Sequence, residues 1–375
     1  MFVSVFYSDM SNRCSVKPLE EYSFTLLQDV GEEVWSCIEG SLESSVFMSR
    51  EWHQYLAANG QKSVVVQVSK NDDTVGFFIG NRSFGFVIGA PLPGMGTYLG
   101  GFCSLYSIPE QERFLLYSQL AQWLFKSCHC LYLTVSDWLF RSEYEDYYPY
   151  EDYKFPLLDG NDDGHVACRL RATLTVDTSV SEQELWRKSS YSSFRYCVNK
   201  AKKRGLRVRF ITQRADIGPF VKTLHQQMKD VASRHKMPPH HYQKERFLQS
   251  LCENLFPNRI LMIQVIGTEE KEERVMASSI FCVDKNVSSF FAAASFRQYM
   301  KDCPNEIMVW EALRELHRRG VHYTVLTGTA PYKRKFGSYY CYIPKLEFYR
   351  FGKMNISFRN VYNSFRQKVY GFLAR

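Results

Sequence analysis

From Ile217 to Leu326 the sequence sets out one order of elements, and that order restricts the fold more than any composition figure. Helical periodicity covers Ile217–His235 and Tyr242–Asn254, and three β-rich runs follow at Ile260–Ile266, Val275–Val283 and Ser288–Ala294. Pro304 then stands where a helix N1 residue belongs. Ile307, Trp310, Leu313 and Leu316 repeat at helical spacing until Arg318-Arg319-Gly320 stops the helix. Strand His322–Leu326, a Gly/Pro-punctuated basic loop and strand Tyr342–Phe351 close the unit. Strand hairpins feeding a helix and then further strands predict a mixed α/β (α+β) fold.

The unit opens on an alternating strand, Val166–Val176. A helix start follows, with Ser181 and Glu184 as a capping box and Val180 and Leu185 as its staple. That helical pattern, broken near Ser189–Ser193, reaches Gly205. The first part of the chain is also α/β in pattern. It has an amphipathic helix at Phe47–Asn59, strands Ser63–Ser69 and Thr74–Ile79 around a hairpin signal at Lys70–Asp73, and a strand at Ser83–Gly89. A Gly/Pro loop (90–101), helix Glu110–Lys126 and buried strand Leu131–Val135 complete it. The 375 residues exceed what one core usually supports. The acidic, tyrosine-rich stretch Glu143–Asp163 is the natural junction, so domains of 1–160 and 161–375 are expected, the second ending in a helix at Ile356–Leu373.

Several function classes drop out on composition. Eleven cysteines are scattered without a C-x-x-C pair, which predicts reduced thiols, a cytoplasmic protein and no metal site. Cys128-His129-Cys130 sits just before a buried strand, and its cysteines are expected to pack. His225, His235, His240 and His241 lack the partners that would complete a metal site. The N-terminus has no basic leader region, and no run reaches the ~18 apolar residues of a membrane span. The aromatic and basic helix at 356–373 leaves membrane-surface contact as a minor alternative to core packing.

The net charge of +8 is concentrated. Nine basic residues and no acidic one lie between Arg187 and Arg209, interleaved with Tyr191, Phe194 and Tyr196. Such a run suits phosphates, a nucleotide base or an RNA backbone, or else forms a solvated face. The first free amides of the helix at Pro304, near Asn305 and Glu306, form a second anion-attracting feature, without a glycine-rich fingerprint. The third is Gly328-Thr-Ala-Pro-Tyr332-Lys333-Arg334-Lys335-Phe336-Gly337. There a lysine can steady an oxyanion and a tyrosine can protonate a leaving group, unless the segment is a basic hairpin tip with Phe336 plugging the core.

Phe290-Phe-Ala-Ala-Ala-Ser295, Pro304-Asn-Glu-Ile-Met-Val-Trp310, Gly320, Gly328 and Tyr332–Gly337 together resemble the C-terminal half of GNAT-like acyltransferases of the two-domain, Fem-like and CelD-like type. Arg195, Asn199–Lys203 and Gly205-Leu206 resemble the same family's basic helix, with Phe47, Ser49 and Trp52 as weaker matches. The resemblance implies two tandem GNAT-like domains sharing a cleft and transferring an acyl group to an amine. The donor it implies is acetyl-CoA or another acyl-CoA, with aminoacyl-tRNA as the Fem-type alternative. The acceptor it implies is an anionic sugar-nucleotide, polysaccharide or cell-envelope precursor. A catalytically inactive binding module of the same fold is the third possibility. The resemblance puts Lys333 nearest the reaction; the expected catalytic groups are Lys333 or a strand backbone N–H at the oxyanion, and Tyr332 or Tyr299 as proton donor to the thiolate. The implied binding residues are Tyr191, Arg195, Asn199, Lys200, Lys203, Asn305, Lys335 and Phe336. Thr324 stands where relatives often carry an acid.

Overall fold

The computed structural model describes residues 22–83, 86–89, 100–144, 165–235 and 244–352. Nearly all of the expected junction, most of the loop at 90–101, the helix at 356–373 and the pair His240 and His241 lie outside the described residues. The first half runs β1 (Tyr22–Leu26), α1 (Glu32–Gly40), α2 (Arg50–Ala58), β2 (Lys62–Lys70), β3 (Asp73–Ser83), β4 (Phe86–Gly89), β5 (Phe102–Ser104), α3 (Glu110–Ser127), β6 (Tyr132–Ser136) and β7 (Ser142–Tyr144). The second continues with β8 (Val166–Asp177), α4 (Glu182–Lys188), α5 (Tyr196–Lys203), β9 (Arg207–Phe210), α6 (Ile217–His235) and α7 (Glu245–Leu255). It ends with β10 (Ile260–Glu269), β11 (Glu272–Cys282), β12 (Val287–Ser295), α8 (Pro304–Arg318), β13 (Tyr323–Val325) and β14 (Tyr339–Tyr349).

Side-chain chemistry sets many of these boundaries. Ser49 Oγ accepts from the Trp52 N–H at 3.2 Å, so the helix expected over Phe47–Asn59 is split into a 3-10 turn at Val46–Met48 and α2. Asn71 and Asp72 both take positive φ (51° and 68°), the two-residue turn that joins β2 to β3. Ser181 Oγ caps Glu184 N–H as the capping box requires, while the Glu184 carboxylate is taken by Arg187. α8 begins at Pro304, as its spacing predicts, and the chain leaves it through Gly320 at φ 73°.

The described strands form one mixed sheet in the order β1-β2-β3-β4-β6-β14-β8-β13-β12-β11-β10-β9, with β5 on β3 and β7 on β14. β14 lies antiparallel to both β6 and β8, so the last described strand joins the sheet of the first half to that of the second. β8 therefore separates β13 from β14, and the Tyr332 segment between them is not a hairpin tip. It crosses over β8 as a 3-10 helix, Pro331–Phe336. The mixed α/β class expected from the sequence is what the chain adopts. α6, α7 and α2 cover one face of the second-half sheet around Met262, Ile280, Cys282 and Ile343. α8 covers the other, with Met308, Ala312 and Leu316 on Ile263, Val265 and Phe281.

In the first half, Arg113 is 1% exposed and bonded to Glu43 (2.7 Å) and Asp137 (3.0 Å), with the Tyr117 hydroxyl donating to Asp137. This paired buried charge ties α3 to the end of β6. Every described cysteine is a free thiol, and burial pushes the Cys130 thiol up to about 11. Among the described residues no helix is long and apolar enough to cross a membrane, and no group of three or more His, Cys, Asp or Glu gathers for a metal.

Candidate active site

β12 and β13 run parallel, but their register extends only from Val287↔Tyr323 to Ser289↔Val325. β12 then continues to Ser295 while β13 stops. The β11–β12 register shifts at the same level, from Phe281↔Phe290 to Ile280↔Ala292, which leaves Phe291 as a bulge. Thr327 Oγ1 donates to the Phe290 carbonyl at 2.9 Å as the last link across. Thr327 and Gly328 take positive φ (53° and 82°) and turn the chain away. A gap opens between the two strands, with the β12 edge along one side.

The 3-10 helix Pro331–Phe336 closes one end of that gap. Phe336 anchors it, packing edge-on against Phe194 with centroids 5.1 Å apart in a core that includes Trp310 and Leu326. Gly337 follows at φ 79°, and a Cβ there would lie 3.1 Å from the Lys188 carbonyl carbon. The Ser190 N–H donates to the Lys335 carbonyl at 2.9 Å, so this turn is docked on the joint between α4 and α5. Gly337→Ala combines a disfavoured φ with a backbone clash and should destabilise by about 1–3 kcal/mol in urea denaturation; an unchanged midpoint would contradict the docking.

Anchored this way, Lys333 points inward and is 7% exposed. Its Nζ donates to the Leu326 carbonyl at 2.5 Å and to the Thr327 carbonyl, and lies 5.8 Å from the Phe290 ring centre. No carboxylate lies within ion-pair distance of it among the described residues. Burial pushes its ammonium down to about 8 from the usual 10.5. Two of its three donors are bound to carbonyls, which leaves one without a hydrogen-bond partner among the described residues.

The other expected site residues divide into two groups. Tyr332 is 58% exposed at the edge of the turn, with Lys333 Nζ 5.9 Å from its ring centre. Tyr191 and Arg195 belong to a π-helical turn, Tyr191–Arg195, that packs on the Pro331–Phe336 turn through Phe194 and Phe336. The Arg195 guanidinium lies over the Tyr191 ring at 4.9 Å, and its Nε is buried without a partner. Asn199 and Lys203 follow Arg195 at successive four-residue intervals, so they continue one stripe along α5, with Lys200 beside it. These residues are brought together. Tyr299 is not, because its hydroxyl donates to Glu269 at 2.6 Å at the end of β10, a bond that raises the phenol. Asn305 donates to Ser295 Oγ at 3.2 Å, and Lys335 is paired with Glu306 at 2.5 Å. The Phe336 side chain faces the core.

Acids outside the basic run, one of them close by in α4 and three distant in sequence, also neutralise much of it. Arg187 meets Glu184, Lys202 meets Glu311, Arg204 meets Asp302 and Arg207 meets Glu273. Arg195, Lys200 and Lys203 have no such partner among the described residues. Sequence reasoning missed this pairing, the Phe291 bulge, Thr327 and Glu306. Only Glu306 left a local signal, as an acid in the first turn of a helix.

The comparisons bear on this arrangement directly. Residues 188–334 match the family described as Acetyltransferase (GNAT) domain. This stretch is similar in sequence to a GNAT acetyltransferase domain. It contains the α4–α5 joint, the strand gap and Lys333. The described fold resembles the crystal structure of FemX at a TM-score of 0.60 and 11% identity, over 85% of this chain and 96% of that one. It also resembles a conserved protein of unknown function from Bacteroides thetaiotaomicron at a TM-score of 0.52 and 7% identity, over 84% and 96%. No curated protein sequence matches the chain. The acyltransferase is thus Fem-like in fold.

GNAT domains in general take their acyl group from acyl-CoA, whose diphosphate suits free helix amides. Here the chain between β12 and α8 is a 3-10 turn, Arg297–Asp302, with no glycine from Phe296 to Cys303. Pro304 has no N–H to offer, and the first turn of α8 already holds a carboxylate, Glu306. These residues do not fit a CoA diphosphate at that helix end.

Proposed function

We propose that this acyltransferase moves an acyl group from an activated carrier onto an amine of an anionic acceptor, a sugar-nucleotide or cell-envelope precursor, in the cytoplasm. The buried, carboxylate-free Lys333 at the point where β12 and β13 part carries this reading. A carbonyl seated in the gap would gain negative charge when the amine attacks, and the remaining Lys333 donor would meet it. The attacking nitrogen gives up its extra proton to water, the bond from the carbonyl carbon to the carrier breaks, and the carrier leaves with the electron pair. Tyr332, exposed at the mouth, is the available proton donor to it. The unpaired stripe Arg195, Lys200 and Lys203, with Tyr191 as a stacking face, supplies the anionic acceptor's binding charge. Aminoacyl-tRNA is the second reading for the donor, favoured by the poor fit of a CoA diphosphate at α8.

Activity should follow the charge on Lys333. Because the cation is the working form, kcat/KM should fall as pH rises through about 8. Stability should move the other way. The unfolded chain holds the Lys333 proton up to the usual 10.5 while the fold releases it near 8, so the wild type should gain stability between those pH values. A kcat/KM independent of pH from 7 to 9 would contradict the assignment. Mass-spectrometric detection of amide product, with acetyl-CoA, a short acyl thioester and aminoacyl-tRNA offered to an amino-sugar nucleotide, tests the reaction itself. Failure of all three donors would overturn it.

A further inference from the structure

Lys335 and Glu306 form an ion pair where an anionic donor would dock on a GNAT domain. Glu306 occupies the third position of α8, a helix of 15 residues that starts directly after the turn from β12. Both side chains are largely shielded, at 15% and 20% exposed, and their charged atoms lie 2.5 Å apart. The Asn305 side chain is bound to Ser295, which draws it back toward β12. Asp302, 8% exposed, adds a second carboxylate just before the helix and holds Arg204. A helix N-terminus attracts anions through its unpaired amides and dipole, and a nearby lysine would add to that attraction. In this chain the first turn already carries a carboxylate, and the nearby lysine is paired with it.

We propose that Glu306 determines donor specificity by acting as an internal anion that closes the α8 N-terminus to diphosphate-bearing carriers such as CoA. Its meaning for catalysis rests on the acyl-transfer reading, but the closure is a binding property that can be measured without turnover. An arriving diphosphate would have to displace the Glu306 carboxylate from Lys335 and then lie beside both Glu306 and Asp302. Like charges at such a distance disfavour the complex. Removing the Glu306 charge frees Lys335 and takes a negative charge away from the helix end.

Calorimetric titration of the full chain with CoA, and separately with inorganic pyrophosphate, decides the matter. The wild type should show no saturable binding of either probe below the millimolar range. Glu306→Gln should gain affinity for both by about tenfold or more, weakening as salt is raised. Glu306→Ala should gain likewise, so the outcome does not hang on the folding of one variant. Adding Lys335→Met to either should remove most of the gain, and Glu306→Asp should keep the wild-type exclusion. Micromolar CoA binding by the wild type, or two folded Glu306 variants that gain nothing for either probe, would overturn the proposal. If the acyl-transfer reading were wrong, turnover would be absent while these binding differences persisted.

Discussion

Replacing Lys333 by Met is expected to cut kcat/KM by about 10²–10³-fold while leaving the protein as stable as the wild type or more so. The two halves of this result have separate causes. An ammonium held mostly by two carbonyls, with its proton released near 8 and not near 10.5, costs the fold about 3 kcal/mol at neutral pH. Met fills a similar volume without the charge and avoids that cost. Denaturant titration beside steady-state kinetics checks both halves, and the pH-dependent rise in stability above about 8 should vanish in the variant. Wild-type turnover, or a large loss of stability with Met, would remove Lys333 from the chemistry.

Phe336→Ala should have the largest effect on stability, a loss of about 3–5 kcal/mol in denaturant unfolding. The ring is 3% exposed and touches Phe194, itself fully buried in a cluster with Trp310, Leu313 and Leu326. Its removal leaves a cavity under the turn that carries Lys333. Activity should therefore fall even where the variant is still folded, and Phe336→Leu should restore much of both. If Phe336→Ala lost activity with no change in unfolding midpoint, a direct contact with substrate would replace the anchoring role argued here.

How far the fold was legible depends on where the determining interactions lie. α8 was readable to the residue because Pro304, the apolar repeat and Gly320 are all local signals. α6 was equally plain, and β10, β11 and β12 were placed within a few residues by their β-rich runs. β9 was hidden inside the basic run, because Val208 and Phe210 alternate with arginines over four residues only. The helix expected at Phe47–Asn59 is split because Ser49, inside the amphipathic pattern, caps α2. The topology was not local at all. That β8 lies between β13 and β14 follows from the pairing of Thr175 with both Val325 and Tyr339, residues more than 140 positions away.

The site was legible in part for the same reason. The Tyr332–Gly337 motif was visible as a basic, turn-rich loop, and the family resemblance of that motif singled out Lys333. The inward direction of Lys333, however, depends on Phe336 and Gly337 docking against Phe194 and Lys188. The basic run looked like one continuous cationic face because its neutralising acids, Asp302, Glu273 and Glu311, come from distant segments. Tyr299 was expected as an alternative to Tyr332 for protonating the thiolate. In the fold it is committed to Glu269, at the end of β10.

The central claim is that acyl groups are handled in the gap between β12 and β13, beside Lys333. The most direct measurement is photo-cross-linking with a short acyl thioester that carries a diazirine on its acyl chain, followed by mass-spectrometric mapping of labelled peptides. The account predicts labels within residues 290–295 and 326–333, lost when an unlabelled thioester competes and weakened in Lys333→Met. Competable labels confined to residues 22–144 would contradict it.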